Sequence, residues 1–474
     1  MKHTRNLSMM TDLYQLTMAN GYFLSGTHRA EAVFDMFFRH KGQLNLGVFA
    51  GLEQAVDYIK NLKFDSEDIA YLRSLNKFAP GFLDYLADFR FTGTVYSAEE
   101  GEIVFPYEPT MIVKAPLIEA QIIETALLNI INHQTLIATK ASKVVYAAGD
   151  KAVVEFGLRR AQGPDAGIYG SRASIIGGCG GTSNVLAGQM FGIDIKGTHS
   201  HSWVMSFGSE EEAFERFSEI YPDSCLLLVD TYDTLNSGIP AAVKVFKKLK
   251  AKGHKPLGIR LDSGDLAYLS KRARIMLDEA GFKDAVIFAS GDIDEHIISS
   301  LNAQGAMIDV YGVGTKLITS ENTPSLGGVY KLSSIQLKGK HTPRMKVSSR
   351  EKMTNPGHKR VYRLYGEDGM ASADLIALDG EDLSDPLTLE HETDSWKKFT
   401  LKNYTVRELL IPVFKDGKCV YKPRKIQDSA KKAKEELGRF WEEYKRLLNP
   451  QIYKVNVSPQ LLSLKKDMLR EIKP

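Results

Sequence analysis

The sequence predicts an α/β protein: an irregular α/β barrel, accompanied by a second α/β domain assembled from the two flanks of the chain. Three observations carry this expectation. Short aliphatic runs recur at residues 152–156, 193–197, 225–230, 257–262, 285–290 and 307–313, with helix-like stretches between them. From Val229 the steps to Ile259, Ile287 and Val310 are 30, 28 and 23 residues, the repeat of parallel strands joined by crossover helices. The runs also end in polar, charged or glycine residues, among them Glu155, Asp230, Asp262, Ser290 and Gly312. A barrel gathers every such loop at one mouth, whereas an open doubly wound sheet uses mainly those beside its switch point. Finally, both flanks change to alternating, turn-punctuated β patterns.

Taken in chain order, residues 91–114 alternate and turn, with Glu100-Gly101-Glu102 between runs, which predicts antiparallel hairpins. In the core, residues 239–252, 266–280 and 295–304 supply the crossover helices. Residues 328–378 and 407–420 return to β patterns, with turn signals at Glu367-Asp368-Gly369 and Lys415-Asp416-Gly417. Residues 428–448 read as one amphipathic helix capped by Asp428, with Lys431, Lys432 and Lys434 on a solvated face. The expected division is 1–125 for the N-terminal part of the flanking domain, 126–325 for the barrel, 326–425 for the C-terminal part, and 426–474 for a helical end.

Composition narrows the function. With 474 residues, 43% hydrophobic and 25% charged, the chain is long enough for a large enzyme core. A net charge of +3 gives no reason to expect a nucleic-acid or membrane partner. Cys179, Cys225 and Cys419 lack CxxC spacing, which argues against a zinc ribbon or a disulfide scaffold. No apolar run reaches the roughly 18 residues of a membrane span, and the first residues lack a signal-peptide pattern, so a cytoplasmic enzyme is expected.

Candidate site residues cluster at the ends of the core runs. In Arg260-Leu261-Asp262-Ser263-Gly264-Asp265, two acids around a small flexible pair follow an arginine. Carboxylates accept ribose hydroxyls or hold Mg²⁺, and a guanidinium clamps phosphate or carboxylate. The simpler role for Asp265, as for Asp294, is to cap a helix. Further acids follow neighbouring runs at Asp230, Asp233 and Asp292, the last after Gly291. Arg159 and Arg160 follow Glu155 and suit an anionic ligand, with surface ion pairing the alternative. Gly312-Val313-Gly314-Thr315 is either an anion-binding nest or a tight turn. Of the two histidines in Gly197-Thr198-His199-Ser200-His201, one suits nucleophilic or acid–base work and the other a structural place. Cys179 reads as a packing residue rather than a nucleophile.

Five blocks, 11–19 (Thr11-Asp12-Leu13-Tyr14-Gln15-Leu16-Thr17-Met18-Ala19), 155–160, 197–201, 260–265 and 312–315, together resemble nicotinate phosphoribosyltransferases, in family order over nearly the whole chain. The resemblance implies a type II phosphoribosyltransferase barrel. It also implies an ATP-coupled, ligase-type reaction: nicotinate and phosphoribosyl pyrophosphate give nicotinate mononucleotide and pyrophosphate, with Mg²⁺ as cofactor, in NAD salvage. It further implies a homodimer with shared active sites. By motif, His201 corresponds to the histidine phosphorylated by ATP, with Arg260 and Asp262 beside it in catalysis. Tyr14, within a 1–20 segment reaching an active site, and Thr198 correspond to nicotinate contacts, joined by Arg159 and Arg160. Asp262, Ser263, Asp265, Gly291, Gly314 and Thr315 correspond to the phosphate and ribose site, with no residue assigned as a direct metal ligand. Several family members place an acid directly after the phosphorylated histidine, whereas Ser202 follows here, which leaves open what orients His201. Transfer to nicotinamide or quinolinate, and a catalytically silent nucleotide binder, are the competing readings.

Overall fold

A computed structural model describes residues 6–39, 44–348, 352–383, 386–390 and 398–472. The first five residues of the predicted 1–20 segment lie outside that set. The chain divides into two compact units, one of residues 1–136 with 325–474 and one of residues 137–324. Among the described residues, no helix is long and apolar enough to cross a membrane.

The first unit is built from both ends of the chain. Its seven-stranded sheet runs, in spatial order, Lys340–Pro343, Gly327–Leu337, Glu31–Arg39, Met111–Pro116, Thr94–Ala98, Leu410–Lys415 and Lys418–Cys419. Glu31–Arg39 lies antiparallel between an N-terminal strand and a C-terminal one, with Ala32 opposite both Ile335 and Ala115. Its central residues are buried on both faces, as the near-continuous apolar run Ala32-Val33-Phe34 and Met36-Phe37-Phe38 requires. The hairpin expected within 91–114 forms between Thr94–Ala98 and Met111–Pro116.

A buried ion network fastens the later strands to this unit. Arg363, on the strand Lys359–Tyr365, is 0% exposed. It donates from Nε and Nη2 to the two carboxylate oxygens of Asp374 at 2.8 and 2.6 Å, and from Nη1 to Glu102 at 2.9 Å. Arg407 and Lys432 reach the other Glu102 oxygen at 2.7 and 3.1 Å. Lys432 is therefore an inward-facing cation rather than part of a solvated face. The C-terminal helix also departs from expectation. It spans Ile426–Gly438 with Lys425 at its start and no side-chain cap, so Asp428 is not the cap. It stops because the Arg439 carbonyl accepts the Ala371 N–H, while Phe440 inserts beside Phe105 and Tyr453.

The second unit carries the parallel sheet, in the order Ala152–Glu155, Val310–Val313, Val286–Ala289, Gly258–Leu261, Leu226–Leu228. The helices Ile239–Ala251, Leu266–Glu279 and Glu295–Ala303 are its crossovers. Residues 193–197 do not form a strand. Instead Glu155 bridges Thr182, and Thr182 bridges Ile195, as isolated parallel contacts. From there, side chains span the gap to the far edge of the sheet. The Thr198 hydroxyl donates to the Leu226 carbonyl, and the Leu228 N–H donates to His199 Nε2 at 3.3 Å. Among the described residues the backbone ladder thus covers five strands, and bridges and side chains complete the circuit of an irregular barrel.

Replacing Arg363 by Met should cost about 3–5 kcal/mol, because it leaves buried Asp374 without its guanidinium and takes one of three cations from Glu102. Chemical denaturation measures this, and an unchanged midpoint would refute the network's structural role.

Candidate active site

The ends of three adjacent parallel strands build the site. Asp230, Asp262 and Ser290 follow the strands Leu226–Leu228, Gly258–Leu261 and Val286–Ala289. Each is tied to its neighbour. Asp230 Oδ2 accepts the Asp262 N–H at 2.9 Å and the Ser263 hydroxyl at 2.7 Å. Asp262 Oδ1 accepts the Ser290 hydroxyl at 2.5 Å and Arg260 Nη2 at 2.7 Å. The Arg260 Nε donates to Ser290 Oγ at 2.7 Å. Gly291 makes this closeness possible: its φ is +118°, and an added Cβ would lie 2.7 Å from the Asp262 carbonyl oxygen.

His201 faces this chain of acids. It opens the short helix His201–Met205, and its side chain is 38% exposed. Its Nε2 lies 3.8 Å from Asp262 Oδ2 and 4.0 Å from Asp230 Oδ1, while Nδ1 lies 3.2 Å from the Thr231 hydroxyl. The Asp230 side chain is 2% exposed, and its Oδ1 has no hydrogen-bond partner. Burial works to raise the Asp262 carboxyl, but the Ser290 hydroxyl and the Arg260 guanidinium outweigh it and hold the group below its ordinary value.

An aromatic floor adjoins the arginine. Phe156 and Phe288 stack with centroids 5.4 Å apart, and the Arg260 guanidinium lies 5.4 Å from the Phe156 ring. This settles Gly312: a Cβ there would meet Phe288 and Phe156 carbons at 2.7 and 2.8 Å, so the glycine is a packing requirement. Gly314 backs onto the Phe156 carbonyl, and Thr315 opens the short helix Thr315–Ile318 beyond it. Arg159 and Arg160 sit exposed in the turn Leu158–Arg160, and among the described residues neither forms an ion pair.

Other residues named from the sequence make hydrogen bonds within the protein. The Thr198 hydroxyl is committed to the barrel seam. Asp265 caps the helix Leu266–Glu279 by accepting the Tyr268 N–H at 3.0 Å, and Asp233 caps the turn Thr234–Gly238. Glu155 is fully buried and accepts from the hydroxyls of Ser171 and Thr182 at 2.9 and 2.6 Å, a structural network within the wall. Cys179 is buried, and burial pushes its thiol up, away from nucleophilic use. Tyr14 belongs to the other unit, on the helix Leu13–Leu24, where its hydroxyl accepts from Gln15 and donates to Glu124 at 3.3 Å. Burial and the Glu124 charge push that phenol up to about 12. Thr231 and Phe156 are contributors that strand-end motifs do not single out, and Ser290 reads in the sequence only as a polar strand end. The open question of what orients His201 was the available signal for Thr231.

His199 takes the structural place. It is 8% exposed, accepts from Leu228 at Nε2, and so carries its proton on Nδ1 toward the Ser200 carbonyl at 3.3 Å. Burial pushes its pKa down to about 4. The unfolded chain therefore takes up this proton first on acidification, so stability is complete above the ordinary histidine range and is lost as pH falls toward 4. Between about pH 7 and pH 4.5 the loss should be about 2.5 kcal/mol. Denaturation of wild type and His199→Gln at both pH values measures it, and an identical pH dependence in the two proteins would refute the assignment.

Comparison with known proteins identifies the family. Residues 9–132 match the nicotinate phosphoribosyltransferase N-terminal domain, 152–365 the nicotinate phosphoribosyltransferase family, and 358–465 the corresponding C-terminal domain. The chain is 47% identical over 473 residues to nicotinate phosphoribosyltransferase of Bacillus subtilis, covering 99% of this chain and 96% of that one. It is 35% identical to the Dictyostelium discoideum nicotinate phosphoribosyltransferase, covering 96% of this chain and 86% of the relative. The crystal structure of human nicotinic acid phosphoribosyltransferase superposes with a TM-score of 0.87 at 30% identity, over 97% of this chain and 99% of that one. The chain belongs to the nicotinate phosphoribosyltransferase family.

Proposed function

We propose that this chain transfers the phosphoribosyl group of phosphoribosyl pyrophosphate to the ring nitrogen of nicotinate, forming nicotinate mononucleotide and pyrophosphate in NAD salvage. ATP hydrolysis is coupled to the transfer through phosphorylation of His201. The observation that carries this reading is the His201 ring, set with Nε2 toward Asp230 and Asp262 and Nδ1 toward Thr231. Two acceptor-only groups favour the proton on Nε2, which leaves the Nδ1 lone pair for attack on the γ-phosphorus. Phosphorylation adds roughly −1.5 to −2 charges beside the acids, a change large enough to alter how the site holds an anionic substrate.

The sugar transfer requires little covalent help. As the C1–O bond to pyrophosphate breaks, charge develops toward an oxocarbenium-like ribose, so positioning and electrostatics dominate. In this reading the fixed acids serve the ribose hydroxyls, and Arg159, Arg160 and the remaining Arg260 donor serve the anionic groups. Phe156 beside Arg260 offers an aromatic surface next to a guanidinium, the chemistry a flat pyridine carboxylate calls for. Among the described residues no group of three His, Cys, Asp or Glu side chains could hold a metal. Magnesium binds through one or two carboxylates together with substrate phosphates and waters, and the polyphosphate substrates would supply most of that shell.

The helix Leu13–Leu24 exposes Leu13, Tyr14, Met18 and Leu24. That apolar face supports a homodimer in which Tyr14 reaches the partner's site, in a cytoplasmic enzyme.

His201→Ala should lower nicotinate-stimulated ATP hydrolysis by roughly 100-fold or more. Acid-labile label from ATP on the His201→Ala protein would overturn the assignment. In a panel of nicotinate, nicotinamide and quinolinate, each with and without ATP, nicotinate should be preferred over the amide by roughly two orders of magnitude. Nicotinamide leaves a guanidinium without its carboxylate, and equal efficiency would exclude this pocket chemistry.

A further inference from the structure

We propose that Thr231 is the positioning residue for His201: its hydroxyl holds Nδ1 before phosphoryl transfer and takes up a phosphoryl oxygen after it. The inference rests on the reading of His201 as the phosphorylated residue. Nothing on the histidine's own segment can orient the ring, because the hydroxyl of adjacent Ser202 is paired with that of Ser200 at 2.7 Å. The two carboxylates, at 3.8 and 4.0 Å, attract Nε2 but lie beyond hydrogen-bond distance. Among the described residues, the Thr231 hydroxyl is the side-chain group within hydrogen-bond reach of the ring, at 3.2 Å. A ring that is 38% exposed and held on one side only would otherwise turn about its χ2 bond.

Thr231 itself is a fixed peg. The residue before it, Asp230, accepts two hydrogen bonds from Asp262 and Ser263. Two residues later, Asp233 accepts the N–H groups of Leu235 and Asn236 at 3.1 and 2.9 Å. The Thr231 side chain is β-branched and therefore has few rotamers. With the His201 proton on Nε2, the hydroxyl donates to the Nδ1 lone pair. In the transfer, the Nδ1–P bond forms as the bond from the γ-phosphorus to the ADP oxygen breaks, and that oxygen leaves with the electron pair. The proton stays on Nε2 between the carboxylates. The displaced hydroxyl, already beside Nδ1, then donates to an oxygen of the phosphoryl group attached there.

Wild type, Thr231→Val, which keeps the shape without the hydroxyl, and Thr231→Ser, which keeps the hydroxyl, separate these roles. Single-turnover labelling with γ-labelled ATP should show Thr231→Val phosphorylating His201 about tenfold more slowly, the scale of one neutral hydrogen bond. Its KM for nicotinate should stay within about twofold, because no base contact is lost, and Thr231→Ser should regain most of the rate. Imidazole ¹⁵N spectra of the unliganded proteins should show the Nε2–H tautomer in wild type and a mixture in Thr231→Val. A wild-type labelling rate in Thr231→Val, no rescue by serine, or an Nδ1–H tautomer in wild type would each overturn the proposal. Absence of label on wild-type His201 would overturn the phosphohistidine reading and the transfer role of Thr231 with it. The ¹⁵N spectra alone would then decide whether Thr231 sets the ring.

Discussion

The site depends on one constraint, the lacing of neighbouring strand ends by their own side chains. Asp230 is held by the backbone and hydroxyl that follow the next strand, and Asp262 by the serine that follows the one after. Neither Asp230 nor Asp262 is placed by its own strand alone. Carboxylates brought this close repel one another, and Asp262 is held below its ordinary value by the Ser290 hydroxyl and the Arg260 guanidinium. Arg260 serves that purpose first, since its Nε and Nη2 are spent on Ser290 and Asp262. What remains for a ligand is a preorganised edge, which is the form of electrostatic help that costs no rearrangement during reaction.

The two histidines show how a change of backbone conformation divides labour within five residues. In a continued strand, residues two apart would share a face. Here the chain leaves the extended form at Ser200 and begins a helix at His201, so the side chains part. His199 enters the barrel wall and substitutes for a backbone acceptor opposite Leu228. His201 remains at the mouth with both ring nitrogens facing polar groups. The seam that His199 and Thr198 close is where a sixth strand was expected; only Ile195 of that run bridges a neighbour, and Asp194, Ile195 and Lys196 stay exposed.

The flanking unit solves a different problem. Its strands come from segments hundreds of residues apart, and apolar packing alone specifies register poorly between such pieces. Arg363, with fork-shaped contacts to Asp374 and a third to Glu102, accepts only one arrangement of three segments. Buried ion pairs are weak evidence for stability but restrictive in geometry, and that restriction is what joining the two flanks requires.

Much of this was legible in the residues themselves. Apolar runs at a βα spacing, turn glycines, and polar residues at strand ends are local signals with a fixed period, and they located the parallel strands, one of them bearing Arg260, and the segments bearing His201 and Asp262. The order of those strands, and the partners of each loop residue, are nonlocal. Nothing near Asp265 or Thr198 in sequence distinguishes a ligand contact from a cap or a seam, and the structure commits both side chains within the protein. Gly312 looked equally like an anion nest and a turn until Phe156 and Phe288 were seen to stack across it. Lys432 looked solvated until Glu99 and Glu102 met it. The sequence by itself determined which residue types stand at the strand ends and which stretches of chain bear them. Tertiary structure decided which of those groups remain free to act, because a side chain's partners depend on which distant segments fold against it.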